Sequence, residues 1–399
     1  MSYRTNGESI VAVCEGGGFI FAACAANGIK VFDYDLNLVE HIKSIGDVRD
    51  VSFANGTLYA ACLSGGLRFF RVESGGIAPV GNAFYIGNSE AAAVRQVEVM
   101  PSGDRAVVVN GLKAYAVNVS DISNPYVYMI NTGNEDGAIC GGLYYEQVCS
   151  GFTDGRYIGI SNALPELYWL DFGGETPRIM QTFYNCYEKC YGGMAAYGGF
   201  AVSVGEGYAG YTYFKPAQLK TPRYPNIRII PKTDAYFVSG KAAANENLLA
   251  VADIRSRKII LSDITDMNNP ICRLSFISDY SPYAPLIKNG KVYVPVGSGG
   301  LLRFSASSVG YTVVNSSDAC SVKALADSGE DSVMIVAEYN GSGALLGIAA
   351  AEKMNSFKEG FAAARSVSLK RRETGYYKVF VLGKNAVEPF LPSLKIKTA

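Results

Sequence analysis

Residues 55–73 read NGTLYAACLSGGLRFFRVE, a Gly turn and an apolar strand followed by a second Gly turn and a second strand. The same order of residue types returns as GGFIFAACAANGIKVFDYD (17–35), SGDRAVVVNGLKAYAVNVS (102–120) and NGKVYVPVGSGGLLRFSAS (289–307). Asn-Gly and Gly-Gly pairs supply the positive-φ positions that tight hairpins require. The stretch therefore predicts an antiparallel hairpin that recurs along the chain.

Three looser copies of this hairpin lie between the close ones. They are DGRYIGISNALPELYWLDF (154–172), YGGFAVSVGEGYAGYTYFK (197–215) and NENLLAVADIRSRKIILSD (245–263). Successive copies are about 45 residues apart, and a period of that size with several strands per unit is typical of β-propellers. Further segments before and after the hairpins, such as VRDVSF (48–53), bring each unit to four strands. We therefore predict a seven-bladed β-propeller over residues 8–315.

The Leu of the repeated phrase has a predicted packing role. In a propeller each sheet buries its faces against its neighbours. We expect Leu67, Leu112 and Leu301 to be buried between adjacent sheets, with their Gly partners in the tight turns.

The overall composition narrows the possible partners. Lys and Arg number 36, equal to Asp and Glu, so the chain has no net positive charge to attract nucleic acid. No apolar run approaches the ~20 residues that span a bilayer, so we expect no membrane span. The N-terminal residues do not resemble a signal peptide. A cytoplasmic location therefore stays open beside the extracellular one suggested below.

The nine cysteines predict neither a disulfide framework nor a metal site. Several lie in apolar strand-like runs, where Cys behaves as a small buried hydrophobe. The close pair in CYEKC (186–190) lacks a second pair and a nearby His, since His41 is the one histidine in the sequence. We expect free thiols in preference to a local disulfide or a metal, and we expect no cofactor.

The repeat resembles the LVIVD-repeat family of β-propellers. The residues that carry the resemblance are VRDVSFANGTLYAACLSGGLRFF from residue 48, VNVSDISNP from residue 117 and LSDITDMNNP from residue 261. The resemblance implies a propeller that in bacteria is often extracellular or surface-associated. It does not imply one activity, because many propellers serve as platforms.

The remaining residues, 316–399, predict a small immunoglobulin/fibronectin-like β-sandwich. SVMIVAEYNGSGALLGIAAAEKM (332–354) is a hairpin around NGSG, and residues 365–393 contain two further strands. The stretch is similar to the β-sandwich modules that end many secreted and surface proteins of Gram-positive bacteria. The matching residues are Ala337, Tyr339, Gly343, Leu345, Tyr377, Lys378, Val379, Phe380, Val381 and Pro389, whereas Leu382 and Gly383 depart from the pattern.

One set of polar residues is a candidate site. These residues lie on the strands expected to be innermost, where an apolar side chain would be easier to bury, and would converge on the mouth of a central channel. They are Arg49, Asp50, Arg95, Gln96, Glu146, Tyr191, Lys241 and Tyr283. They predict either a hydrogen-bonded, water-filled channel mouth or a ligand site with Arg for carboxylate or sugar oxygens and Tyr for stacking.

Motifs of enzymatic propellers are missing from the sequence. It contains no sialidase S-x-D-x-G-x-x-W box, no G-x-S-x-G and one Trp, Trp169. We therefore expect a non-enzymatic binding or scaffolding protein of the bacterial cell surface or secretome, with a protein or carbohydrate partner at the propeller face. One alternative is a carbohydrate-active hydrolase or lyase with Asp50 and Glu146 as its acids. Another is an intracellular or virion structural component.

Overall fold

The computed structural model consists of strands and loops, and no helix occurs among the residues that it describes. The described residues are 2–3, 8–73, 76–87, 93–130, 136–141, 143, 149–153, 155–161, 167–183, 194–197, 200–204, 207–208, 211–214, 227–229, 236–237, 240–265, 271–305, 309–315, 320–326, 332–354, 363–369, 375–383 and 394–396. The predicted all-β class is confirmed for these residues.

The strands of the repeat region are short, as expected for segments bounded by Gly turns. The first half contains β1 Ser2–Tyr3, β2 Ala12–Gly16, β3 Phe19–Ala23, β4 Ile29–Phe32, β5 Leu38–Ile42, β6 Asp50–Ala54, β7 Thr57–Ala61, β8 Leu67–Glu73, β9 Gly76–Phe84, β10 Val94–Val99, β11 Arg105–Asn110, β12 Lys113–Asn118, β13 Tyr126–Val127, β14 Cys149–Thr153, β15 Tyr157–Ser161, β16 Leu167–Asp171 and β17 Arg178–Phe183. The second half contains β18 Met194–Tyr197, β19 Phe200–Val204, β20 Gly207–Tyr208, β21 Tyr211–Phe214, β22 Ile227–Ile229, β23 Tyr236–Phe237, β24 Gly240–Asn245, β25 Leu248–Asp253, β26 Lys258–Asp263, β27 Ile271–Ile277, β28 Leu286–Lys288, β29 Lys291–Pro295 and β30 Leu301–Ser305.

These strands form seven four-stranded antiparallel sheets within the described part of residues 2–305. Six sheets are built from strands consecutive or nearly consecutive in the chain, from β2-β3-β4-β5 to β24-β25-β26-β27. The last sheet, β1-β30-β29-β28, takes its outer strand from the N-terminus. One end strand of each sheet contacts the corresponding strand of the next sheet. These strands are, in order, β2, β6, β10, β14, β18, β24 and β28, and β28 contacts β2 again. The arrangement is therefore β-propeller-like, with these seven strands innermost.

A five-residue loop with one hydrogen-bond pattern joins the second and third strands of three sheets. We call it the docking loop, and its copies are Cys24–Gly28, Cys62–Gly66 and Val296–Gly300. In each copy the first residue's N–H donates to the carbonyl of the fifth, at 2.8–2.9 Å. The second and fifth residues have positive φ, for example 42° at Leu63 and 76° at Gly66. The Gly at the fifth position is required because a side chain disfavours that conformation.

The docking loop pairs with the segment that leads into the next innermost strand. Leu63 and Val94 exchange two backbone hydrogen bonds of 2.9 and 3.2 Å, and Val48 N–H donates to Ala25 C=O at 2.9 Å. The third copy makes the same contact with the first sheet, since Ile10 and Gly297 exchange bonds of 3.1 and 3.0 Å. The repeated phrase therefore joins each of these sheets to its successor.

The buried faces of the sheets show why Leu67 and Leu301 recur in the phrase. Both side chains are 0% exposed and lie in hydrophobic clusters that span neighbouring sheets. The prediction for Leu112 is wrong, because its side chain is 41% exposed. Asn110 pairs with Lys113, so the third sheet has a two-residue turn in place of the docking loop. The shorter turn leaves Leu112 at its tip, outside the core.

A second set of strands follows the repeat. They are β31 Val309–Asn315, β32 Cys320–Ala326, β33 Ser332–Tyr339, β34 Leu345–Met354, β35 Ala363–Leu369, β36 Tyr376–Gly383 and β37 Leu394–Ile396. They form a three-stranded sheet, β31-β32-β35, and a four-stranded sheet, β34-β33-β36-β37. Residues 309–315 therefore pair with the C-terminal strands.

The C-terminal strands pack on the last sheets of the repeat. β31 and β37 both contact β27, and Lys378 Nζ lies 3.6 Å from Asp279 Oδ2. Val336 and Val379 share one hydrophobic cluster with Leu261 and Val294 of the repeat region. The division at residue 315 into two domains stays a prediction.

Leu67→Ala should destabilise the protein by about 2–5 kcal/mol, because it leaves a cavity between two packed sheets. Leu112→Ala is the matched control and should change the free energy of unfolding by less than about 1 kcal/mol, because Leu112 is exposed. Urea or guanidinium unfolding of both variants measures the two values. Equal losses would contradict the assignment of Leu67 to the inter-sheet core.

Candidate functional site

The innermost strands of all seven sheets line one cavity of about 340 Å³, which we call the channel cavity. Its wall takes residues from β2, β6, β10, β14, β18, β24 and the segment 283–286 that contains the start of β28. An innermost strand has one edge paired and one edge facing its counterparts. Its unpaired backbone groups therefore need partners from side chains or water.

Five of the predicted site residues meet in this cavity. The wall includes Arg49, Asp50, Gln96, Lys241 and Tyr283. The fold therefore brings together residues as far apart in sequence as Arg49 and Tyr283, which are separated by 234 positions. Lys241 is buried although it is charged. Glu146 and Tyr191 lie outside the described residues.

Arg95 faces away from this wall. Its Nη1 donates to the carbonyl oxygens of Gly111 at 3.2 Å and Leu143 at 3.1 Å. Arg95 is not among the residues that line the cavity, whereas its neighbour Gln96 is. Arg95 thus joins the short turn of the third sheet to the segment that follows it.

The guanidinium of Arg49 is held by a neighbouring carboxylate. Its Nη2 donates to Asp47 Oδ2 at 2.9 Å, and its Nε lies 2.9 Å from Asp47 Oδ1. Arg49 therefore brings its own counter-ion to the edge of the cavity, which weakens it as a site for an anionic ligand.

Asp50 and Ser52 satisfy the inward edge of the next strand. Val97 N–H donates to Asp50 Oδ2 at 3.0 Å, and Val99 N–H donates to Ser52 Oγ at 3.3 Å. Part of the polar lining is therefore structural, because these side chains replace water for backbone donors that no strand pairs. For Asp50, this result supports the interpretation of the polar residues as a hydrogen-bonded channel mouth over their interpretation as a ligand site.

Glu98 is the functional candidate that sequence reasoning missed. Its carboxyl group lines the cavity and makes no hydrogen bond with the described residues. Burial within the wall raises its pKa to about 8, and the negative charge of Asp50 adds to the shift. Glu98 is therefore largely protonated near neutral pH. The two-residue alternation of β10 was the available signal, since Gln96 and Glu98 share one side of the strand.

Two cysteine thiols near Glu98 stay protonated for the same reason. Desolvation raises the pKa of Cys14 well above its usual value, with Asp50, Glu15 and Glu98 contributing in that order. Desolvation likewise raises the pKa of Cys149, with Glu98 as the next cause. Among the described cysteines, Cys14, Cys24, Cys62, Cys140 and Cys149 are free thiols. Protonated, desolvated thiols are poor nucleophiles and poor metal ligands.

The cavity wall is chemically uneven. The β2, β6 and β10 strands supply the acidic residues, whereas β18 and β24 supply mainly small apolar ones. The apolar residues of the latter two strands are Met194, Ala195, Ala196, Ala242, Ala243 and Ala244. The cavity therefore offers a carboxyl-rich side and an alanine-rich side to whatever occupies it.

Three further observations concern the described residues. No group of three or more His, Cys, Asp and Glu side chains stands close enough there to hold a metal ion. His41, on the outer strand β5, places Nε2 2.7 Å from Asn27 C=O, away from the channel cavity. In that same part of the chain, no helix has the length and apolar character needed to cross a bilayer.

Comparisons with known proteins give similarity in fold and none in sequence. No protein family profile and no curated protein matches the chain. The crystal structure of the computationally designed Ika8 protein is similar, with a TM-score of 0.50 and 10% identity, over 76% of this chain and 98% of that one. BamB from Moraxella catarrhalis reaches a TM-score of 0.47 at 10% identity, over 73% of this chain and 83% of BamB. At 10% identity, the similarity to the Ika8 protein concerns the fold alone.

The raised pKa of Glu98 predicts a particular pH dependence of stability. The ordinary pKa of Glu is 4.5, and in the folded protein it is about 8, so between these values the native state keeps a proton that the unfolded state releases. Stability is therefore lost as pH rises from about 5 to 8, by at most about 1.4 kcal/mol per pH unit from this group.

Glu98→Gln should remove this loss. The free energies of unfolding of the variant and the wild type are measured by urea titration at pH 5 and pH 8. The difference in favour of the variant should be larger at pH 8 than at pH 5. Glu73→Gln, at an exposed position on β8, is the control and should follow the wild type. Parallel pH profiles for Glu98→Gln and wild type would show that Glu98 ionises normally.

Proposed function

We propose that the protein is a non-enzymatic binding protein whose ligand occupies the channel cavity. The observation that carries the proposal is the unbonded carboxyl group of Glu98 in a cavity lined by all seven innermost strands. A carboxyl group that lines a cavity and has no protein partner is available to hydrogen-bond a ligand there. A volume of about 340 Å³ suits a small molecule.

We propose further that the seven four-stranded sheets are the seven blades of an LVIVD-repeat-like propeller, followed by a C-terminal β-sandwich. The closed succession of innermost strands supports the blade count. The two C-terminal sheets support the sandwich. In this proposal the propeller acts at the bacterial cell surface or in the secretome, and its outer face meets a protein or carbohydrate partner.

A carbohydrate-active hydrolase or lyase is the second candidate. It is favoured by the presence of Asp50 and Glu98 in one cavity, with Glu98 protonated near neutral pH. Glycosidases use one protonated and one ionised carboxyl group. Release of reducing sugar that is lost in Glu98→Gln would favour this candidate, with Glu98 taking the acid role first assigned to Glu146.

Filling the channel cavity tests the binding function. A thermal-shift screen of small amines, carboxylates and sugars should find compounds that raise the melting temperature of the wild type. Ala244→Phe places a large ring in the cavity wall and should abolish that shift.

Ala78→Phe is the matched control, because Ala78 is exposed on the outer strand β9, and it should respond as the wild type does. Shifts that persist in a folded Ala244→Phe variant would place binding elsewhere.

A further inference from the structure

We infer that two copies of the protein associate through β34, with the two strands antiparallel about a two-fold axis at Ile348. The inference is independent of the channel cavity and of its proposed function. It depends on the open edge of β34, on the apolar side chains that this strand exposes and on their order along the strand.

β34 is the edge strand of the four-stranded C-terminal sheet. It pairs with β33 on one side, and within the described ranges no strand pairs with its other side. At ten residues it is the longest strand in that part of the chain. A methyl group added at Gly347 would meet no other atom within 4 Å, so the space beside the strand is open there. Such an edge presents backbone groups that another chain can pair with.

The exposed side chains of β34 form an apolar cluster. Leu345, Leu346 and Ile348 are 56%, 57% and 58% exposed, and Ala349 and Ala351 are exposed as well. Exposed apolar side chains that are scattered singly are ordinary on protein surfaces, whereas a cluster marks an interaction site. The exposed face of β34 is therefore a candidate interface.

The strand lacks two of the usual means of protecting an edge. Residues 345–351 include no charged residue and no Pro. Bulges are a third means, and β34 has two, since Leu346 and Ala349 have no partner on β33. In a regular strand neighbouring side chains lie on opposite faces, but here both members of the pairs Leu345–Leu346 and Ile348–Ala349 are exposed. The bulges therefore enlarge the exposed apolar surface.

The order of the side chains favours a second copy as the partner. The first half of the exposed strand is bulky and the second half is small. In an antiparallel pair about Ile348, Leu345 and Leu346 of one copy lie opposite Ala351 and Ala350 of the other, so large side chains meet small ones on both sides of the axis. A parallel pair would place Leu against Leu and Ala against Ala. Symmetry alone supplies the matching sequence, and such a contact closes at two copies.

Electrostatics does not oppose this association. Lys and Arg equal Asp and Glu in number, so two copies do not repel one another through net charge. The contact area of one strand is small compared with a standard interface. We therefore expect a dimer that dissociates on dilution.

Sedimentation velocity over a hundred-fold range of protein concentration tests the association. The wild type should form a species of twice 42.7 kDa whose share grows with concentration. Ile348→Lys should weaken association at least ten-fold, because it places two ammonium groups together at the axis. Val39→Lys is the matched control, since Val39 is 55% exposed on the outer strand β5, and it should associate as the wild type does. Thermal melts establish that both variants are folded.

Disulfide cross-linking tests the antiparallel orientation. Ile348→Cys should form an intermolecular disulfide on oxidation, and so should a mixture of Leu345→Cys and Ala351→Cys. Leu345→Cys alone should not, because an axis at Ile348 holds the two copies of residue 345 about 20 Å apart. A disulfide needs α-carbons within about 7 Å of one another. The wild type, oxidised in parallel, controls for the native cysteines.

Several results would overturn the inference. They are a wild type that stays monomeric over the whole range, a dimer that persists in a folded Ile348→Lys variant, equal loss of association in Val39→Lys, and a Leu345→Cys cross-link as efficient as that of Ile348→Cys. If the monomeric wild type instead binds vesicles of phosphatidylcholine and phosphatidylglycerol and Ile348→Lys abolishes that binding, the strand faces a membrane surface and the second copy falls as its partner.

Discussion

The pairing of each docking loop with the next innermost strand is the interaction on which the architecture depends. A four-stranded sheet cannot bury both faces alone, so it is stable only between neighbours. The hydrogen bonds between Leu63 and Val94 fix the position of the third sheet relative to the second. Those between Gly297 and Ile10 return the last sheet to the first. A closed ring needs no capping unit, because every sheet has a neighbour on both sides.

Side chains strengthen the same closing contact. Lys288 pairs with Glu15, and Arg303 Nη1 lies 2.7 Å from Asp35 Oδ1 and donates to Tyr34 C=O at 2.6 Å. The N-terminal strand β1 completes the last sheet by pairing with β30. Closure also creates the channel cavity, since it turns the unpaired edges of the innermost strands towards one another. Asp50 and Ser52 satisfy part of those edges, and Glu98 remains without a hydrogen bond among the described residues.

The sequence predicted the repeated fold well because its local chemistry is strict. Gly28, Gly66 and Gly300 occupy the same positive-φ position in three docking loops, so one structural requirement produced one recurring phrase. Leu112 was misplaced because the third sheet shortens this loop, and a difference of a few residues in a turn is hard to read from residue types.

The site was only partly predictable for a different reason. Arg49, Asp50 and Gln96 stand out as polar residues in apolar strands, and the structure places all three on the cavity wall. Which member of a neighbouring pair faces the channel depends on register, as Arg95 and Gln96 show. Glu98 lies between Val97 and Val99, a pattern equally typical of a solvent-exposed strand face. Glu98 lies on β10, which packs against β6 and β14, and these strands are distant in sequence.

Hydrogen exchange of the closing contact tests the central claim most directly. If closure holds the ring together, the amides of Ile10 and Gly297 should exchange as slowly as those of Leu63 and Val94, because all would open only in global unfolding. Native-state exchange, followed by mass spectrometry of peptides that cover residues 8–16, 58–67, 93–99 and 292–301, measures these rates. Equal protection is the predicted result. Exchange at Ile10 and Gly297 that is orders of magnitude faster, with Leu63 and Val94 still protected, would show that the ring is stable without closure.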